Sequence, residues 1–131
     1  MPYLWVAIGG ALGSMARYGA SGLVARLSGS AFPLGTMAVN VSGAIVIGFF
    51  AGLSIPESRV LIPAGVRIFV MTGICGGYTT FSTFSLETLN LMRDGEWAWA
   101  LANVTLSVAL CLIAAWIGFV LALELGRPKG V

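Results

Sequence analysis

Long stretches without a charged residue constrain this chain more than any other feature. Leu27–Pro56 runs for 30 residues without a charge, Ile68–Leu86 for 19 and Trp97–Leu123 for 27. A helix needs about 20 predominantly apolar residues to cross the hydrocarbon core of a bilayer. Charged residues make up only 9% of the chain, against about a quarter in an ordinary soluble domain. The sequence therefore predicts an all-α integral membrane protein.

Four transmembrane helices account for the order of apolar runs and polar connectors. We expect spans at about 3–24, 34–53, 66–90 and 97–123, in a single membrane domain that covers residues 1–131. An even number of spans places both termini on the same side of the membrane. The positive-inside rule compares the Lys and Arg residues on the two sides. One side has Arg59, Arg67, Arg127 and Lys129, and the other has Arg26 and Arg93. This weak bias leaves open insertion in both orientations and antiparallel pairing of two copies.

Composition also excludes several classes of function. A net charge of +2 provides no basic surface for nucleic acid. The chain has no histidine, and its two cysteines, Cys75 and Cys111, both lie in apolar segments. Neither a zinc site nor a histidine-based catalytic triad is expected. Because no nucleophile–base pair or set of metal ligands stands out, the sequence does not predict an enzyme.

The third span has an unusual sequence for a membrane helix. The pair Gly76–Gly77 stands near its middle and is followed by Tyr78-Thr79-Thr80. We expect this segment to interrupt the helix. An interrupted backbone at membrane depth is tolerated where it lines a cavity, packs against protein or binds an ion. A kinked packing helix is the alternative interpretation.

Side chains after the expected break follow helical spacing. Phe81, Phe84 and Glu87 lie at i, i+3 and i+6, so we expect them to share a face. An aromatic ring has a positive edge, and two rings presented edge-on can hold a small anion. Hydroxyls on adjacent faces can donate hydrogen bonds; they belong to Thr79, Ser82, Thr83 and Ser85.

Polar residues also occur within the other three spans. Asn40 stands in the middle of the second span, where an unpaired amide is costly. Asn103, Ser107 and Cys111 form a mildly polar stripe on the fourth span. Arg17 lies in the first span, and because a cation facing lipid costs several kcal/mol, we expect it to face protein or a water-filled cavity. Hydrogen bonding between helices is the alternative for any one of these residues.

The motif from Gly76 to Ser85, followed by Glu87, resembles the signature of the Fluc (CrcB) fluoride channel family. The resemblance extends to Gly35 through Asn40 on the second span and to Gly13 through Arg17 on the first. With the number of spans and the chain length, it covers nearly the whole sequence.

This resemblance implies a fold and a function. Members of the family form antiparallel, dual-topology homodimers with two pores for passive fluoride export across the bacterial inner membrane, which relieves fluoride toxicity. A structural Na⁺ ion at the centre of the dimer is held by main-chain carbonyls, here those of Gly76 and Thr79. The partners of this chain would then be a second copy of itself, fluoride and the lipid bilayer.

The resemblance also implies roles for individual residues. Phe81 and Phe84 are the pore phenylalanines, Asn40 is the pore asparagine and Arg17 is a basic residue near a vestibule. Further pore positions match Ser82, Thr83, Ser107 and Glu87. Asn103 and Cys111 depart from the residues found in other members, and a thiol is a weaker donor than a hydroxyl.

Two other classes of protein remain open. A small proton-coupled exporter can also have four spans, but such a carrier typically needs an ionisable acid in the membrane, and only Glu87 fits that need. A non-transporting membrane subunit explains the apolar composition and the glycines, although not the hydroxyl-rich third span.

Overall fold

The computed structural model describes residues 1–126 of the chain as helices joined by short connections. These residues contain no β-strand, which confirms the all-helical prediction for this part of the chain. Arg127 and Lys129, which were counted for membrane orientation, lie outside the described residues. The elements are α1 (Pro2–Ser28), α2 (Leu34–Leu53), α3 (Ala64–Arg67), a π-helical segment (Ile68–Cys75), α4 (Gly76–Tyr78), α5 (Phe81–Arg93) and α6 (Trp97–Gly126).

The outer surface of the helices is strongly apolar. Among the described residues, α2 and α6 are each long and apolar enough to cross a membrane. Large apolar side chains on α6 stay exposed, with Leu112 at 67% and Trp116 at 66%. A soluble protein rarely leaves so much contiguous apolar surface open to water. The surface is that of a membrane protein.

Glycines bring α1 into backbone contact with the third helical region. Gly9 and Gly13 of α1 are buried, as is Gly73 of the π-helical segment. A methyl group added at Gly9 would collide with the backbone of Phe69 and Gly73, and one added at Gly13 would collide with the backbone of Ile74. Small residues at this spacing let two helix backbones approach closely in lipid.

The contact between α2 and α6 is built in the same way. A methyl group added at Gly48 or Gly118 would meet main-chain atoms of the opposite helix. Gly52 is likewise buried, against Phe119 and Ala122. These glycines therefore let α2 and α6 pack closely.

The helical path is interrupted at Thr79 and Thr80, two residues beyond the glycine pair. Gly76 has ordinary helical angles, φ −64° and ψ −37°, and α4 continues to Tyr78. Thr79 (φ −81°, ψ 156°) and Thr80 (φ −151°, ψ 115°) are extended. The interruption therefore falls at the last two residues of the segment that the sequence singles out, and the glycine pair itself stays helical. Glycine permits a break without requiring one, and the contacts of Thr80 described below determine where the break falls.

Candidate pore site around the helix break

Asn40 of α2 holds the interrupted backbone in place. Its Oδ1 accepts a hydrogen bond of 2.7 Å from the amide N–H of Thr80, and its Nδ2 donates one of 3.0 Å to the carbonyl of Thr80. Both polar main-chain groups of Thr80 are therefore paired with one side chain. A side-chain NH₂ carries two protons, so one N–H of Asn40 remains for another acceptor.

Thr80 then starts the next helix. Its extended backbone and its hydroxyl are typical of an N-cap, and Oγ1 accepts a hydrogen bond of 3.1 Å from the amide of Thr83. The same hydroxyl donates to Thr83 Oγ1 at 3.0 Å and lies 3.2 Å from the exposed Ser82 hydroxyl. The break is therefore a capped junction between α4 and α5, and the hydroxyls of Ser82 and Thr83 gather around it.

One side of the junction opens into a cavity of about 320 Å³, which we name the phenylalanine cavity. The rings of Phe81 and Phe84 lie in its wall with centroids 5.3 Å apart and planes inclined at 45°. Phe84 is 9% exposed, whereas Phe81 is 76% exposed, so the cavity is open on that side. The lining consists of Asn40, Ala44, Ile47, Thr79, Thr80, Phe81, Phe84, Ser107, Val108 and Cys111.

Arg17 lies at a second cavity, on the α1 side of the junction. Its Nη1 donates a hydrogen bond of 3.5 Å to the carbonyl of Thr79. The guanidinium thus contacts protein and a cavity of about 330 Å³, which we name the arginine cavity. Its lining consists of Ser14, Arg17, Tyr18, Ser21, Thr36, Val39, Thr80, Thr83. Thr80 therefore lines both the phenylalanine cavity and the arginine cavity.

Glu87 does not share the cavity of the two phenylalanines. Its Oε1 accepts a hydrogen bond of 2.8 Å from Thr36 Oγ1, and its Oε2 is buried and has no hydrogen-bond partner in the described structure. Thr36, Thr83 and Glu87 line a third cavity of about 480 Å³, which shares Thr36 and Thr83 with the arginine cavity. Successive steps of three residues fall about 60° short of a full helical turn, so Glu87 has rotated away from Phe81.

Three buried polar side chains lead away from the phenylalanine cavity between α5 and α6. Ser107 Oγ donates to Asn103 Oδ1 at 3.2 Å, and Asn103 Nδ2 donates to Thr88 Oγ1 at 2.9 Å. Thr88 Oγ1 in turn donates to the carbonyl of Phe84 at 2.7 Å. Asn103 is 1% exposed, and both the oxygen and the nitrogen of its side-chain amide form hydrogen bonds.

The residues singled out by sequence therefore lie at more than one cavity. Asn40, Phe81, Phe84 and Ser107 meet at one cavity, while Arg17, Thr83 and Glu87 lie at the neighbouring ones. Sequence analysis gave no separate role to Thr80 or Thr88. Threonine is a favoured N-cap residue, so Thr80 could have been found as the start of the helix that follows it. Thr88 has no such signal, because its partner lies on another helix.

Known proteins resemble this chain over most of its length. The family model described as CrcB-like protein, Camphor Resistance (CrcB), matches residues 4–119. A protein of Opitutus terrae is 56% identical over 128 residues, which cover 98% of this chain and 97% of the relative. One of Rhodospirillum rubrum is 58% identical over 120 residues, covering 92% and 93%. One of Methylocella silvestris is 52% identical over 130 residues, covering 99% of both. Each of the three is named a fluoride-specific ion channel, FluC.

The apolar helices and the exposed apolar surface indicate a helical membrane protein, and the relatives that it resembles are named ion channels. The matched residues span most of its length. The chain belongs to the CrcB family.

Proposed function

We propose that this protein is a fluoride-selective channel that lets fluoride leave the cell passively and so relieves fluoride toxicity. The observation that carries the proposal is the phenylalanine cavity, in which Asn40, Phe81, Phe84 and Ser107 meet beside the helix break. Relatives that align over nearly the whole chain are named fluoride-specific ion channels. The proposal assigns the chain no chemical reaction.

The chemistry of this cavity suits a small, strongly hydrated anion. A narrow pore must replace the hydration shell with contacts from the protein, yet bind weakly enough for the ion to leave. Asn40 has one free N–H, because its other groups are paired with Thr80. The edges of Phe81 and Phe84 add positive potential, and the cavity lining contains no charged side chain. Arg17 lies at the adjoining cavity, where a cation raises the local concentration of anions without trapping them in the narrow part.

Assembly into an antiparallel, dual-topology homodimer with two pores completes the proposal. One argument is the open side of the phenylalanine cavity, where Phe81 is 76% exposed. A second copy of the chain covers this side and closes a conduit that one copy leaves open. The weak asymmetry of Lys and Arg between the two sides fits insertion in both orientations.

The proposal also places the protein in the bacterial inner membrane as a multi-pass protein. The third span is then the whole segment from Ala64 to Arg93, and Thr79 and Thr80 break it at membrane depth. Irregular backbone is tolerated there because Asn40 and the threonine hydroxyls satisfy its polar groups.

We propose that the carbonyls of Gly76 and Thr79 would hold a structural Na⁺ ion at the dimer centre. If the helix continued, the amide of Thr80 would donate to the carbonyl of Gly76, but it donates to Asn40 instead. The surroundings of Gly76 are open, since an added methyl group would meet nothing within 4 Å. The Thr79 carbonyl keeps a free lone pair beside its long contact with Arg17. Such oxygens suit a hard cation, which when bound would join the breaks of two copies.

Removing sodium is therefore expected to weaken the dimer. Each copy supplies two carbonyls, and without the cation these dipoles face one another uncompensated. Single-molecule photobleaching or cross-linking in lipid vesicles, with Na⁺ replaced by N-methylglucamine, measures the dimer fraction at a series of protein densities. We expect the association curve to shift to higher densities without Na⁺ and to return when Na⁺ is restored. An identical curve in both buffers contradicts the sodium site.

Ion flux from liposomes tests the channel function itself. Purified protein is reconstituted into vesicles loaded with potassium fluoride or potassium chloride, and efflux is followed with ion-selective electrodes after valinomycin is added. We expect rapid fluoride efflux that depends on valinomycin, and chloride efflux at the level of protein-free vesicles. Transport that requires a pH gradient and saturates indicates a coupled exporter instead. Absence of flux for both ions indicates a non-transporting subunit.

A further inference from the structure

The polar residues between α5 and α6 form a hydrogen-bonded chain that starts at the phenylalanine cavity. Ser107 lines the cavity, whereas Asn103 and Thr88 do not. All three side chains are buried, with exposures of 7%, 1% and 6% respectively. No charged group takes part, so the direction of each hydrogen bond is set by its neighbours.

The direction of every hydrogen bond in this series follows from its last acceptor, the carbonyl of Phe84. The carbonyl of Phe84 can only accept, so the hydroxyl of Thr88 donates its single proton to it. Thr88 Oγ1 is then left to accept, and the NH₂ group of Asn103 donates to it. This turns Oδ1 of Asn103 toward Ser107, whose hydroxyl donates to it. The Ser107 proton therefore points away from the cavity, and its lone pairs face an arriving anion.

A second arrangement of the same three side chains keeps two of these three hydrogen bonds, with their directions reversed. If Thr88 donates to Asn103 Oδ1, the NH₂ group of Asn103 donates to Ser107 Oγ, and the Ser107 proton is free to turn into the cavity. The only hydrogen bond given up is the one from Thr88 to the Phe84 carbonyl, which also lies within the backbone hydrogen bonding of α5. Hydroxyls and the amide rotate, and no proton is transferred between groups.

We propose that Asn103 and Thr88 are positioning residues that control whether Ser107 donates a hydrogen bond to the permeating anion. This inference rests on the proposed function and adds a device to it. Without an anion, each hydrogen bond of the series is donated in the direction of Phe84, and Ser107 presents its lone pairs to the cavity. Fluoride at Ser107 selects the reversed chain, in which Ser107 is a donor. Loss of the hydrogen bond from Thr88 to the Phe84 carbonyl offsets part of the free energy of fluoride binding. Fluoride is therefore not held too tightly to leave.

Selective labelling gives a direct test of the reversal. The chain contains three asparagines, Asn40, Asn90 and Asn103, so protein labelled with ¹⁵N-asparagine gives few side-chain amide signals. We expect potassium fluoride to shift the Asn103 side-chain signal and potassium chloride to leave it in place. In Ser107→Ala the fluoride-dependent shift of Asn103 should disappear. If fluoride shifts the Asn40 signal and leaves Asn103 unchanged, the reversal is wrong while the channel function stands.

A double-mutant cycle tests the same inference through flux. Thr88→Val keeps the shape of the side chain but removes the hydroxyl that fixes the orientation of Asn103. We expect it to change fluoride efflux by about threefold, and to change it little in a Ser107→Ala background, since residues of one hydrogen-bond network are strongly coupled. Thr88→Ser restores the hydroxyl and should restore the wild-type rate. Equal effects of Thr88→Val in both backgrounds overturn the proposal, whereas absence of flux in the wild type would instead count against the channel function.

Discussion

Isoleucine at position 81 or 84 is expected to lower fluoride efflux strongly in at least one of the two variants. Isoleucine keeps much of the apolar bulk and removes the positive ring edge. Phe81 and Phe84 contact each other in one cavity wall, so under the proposed mechanism either change would remove ring contacts from fluoride inside that cavity. A loss of about tenfold corresponds to roughly 1.4 kcal/mol in the permeation barrier. Initial rates from vesicles with matched protein content measure the effect.

Phe69→Ile is the matched control for this change. Phe69 also packs edge-on against an aromatic ring, that of Trp5, but it does not line the phenylalanine cavity. Its replacement should leave the fluoride rate within about twofold of wild type, as for a volume-reducing change away from the site. Normal rates in both Phe81→Ile and Phe84→Ile would remove the aromatic contribution from the mechanism.

Asn40→Asp is expected to abolish fluoride conduction. The amide donates to the Thr80 carbonyl and accepts from the Thr80 amide. A carboxylate can only accept, so it faces the Thr80 carbonyl without a proton between them and adds a negative charge to the wall of the cavity. An unpaired buried acceptor costs about 1–3 kcal/mol, and repulsion of the anion is added to that cost. Fluoride efflux should fall to the level of protein-free vesicles.

Asn90→Asp provides the control for the added charge. Asn90 is exposed near the end of α5 and lines the cavity of Glu87, not the phenylalanine cavity. This variant should retain fluoride efflux at a substantial fraction of the wild-type rate. The elution profile of Asn40→Asp in detergent separates loss of conduction from loss of folding. Efflux by a well-folded Asn40→Asp protein at the wild-type rate would show that Asn40 is not needed as a donor.

The helices could be predicted from the sequence because charge is excluded from long stretches of it. The uncharged run Trp97–Leu123 lies within α6, Trp97–Gly126. The segment that contains the break could also be predicted, but not the residues at which the backbone leaves the helix. Gly76 and Gly77 stay helical, and the backbone is extended at Thr80 because a side chain from α2 holds it. Such a contact depends on the packing of two distant segments.

The candidate site could likewise be predicted only in part from the sequence. Spacing along one helix brought Phe81 and Phe84 together, and their rings are in contact. It also placed Glu87 on their face, whereas Glu87 pairs with Thr36 at another cavity. Two steps of three residues fall about 120° short of two full helical turns. Residues one step apart therefore share a face, whereas residues two steps apart do not. Thr88 and Asn103 meet through the contact of α5 with α6, which no local pattern encodes.

The exposure of Phe81 has a consequence for how the cell controls this protein. In the proposed homodimer, a ring that is 76% exposed in one copy would be covered by the other copy. If only the dimer conducts, transport capacity at low abundance would rise with the square of the number of chains in the membrane. A modest increase in synthesis would then produce a disproportionate gain in protection.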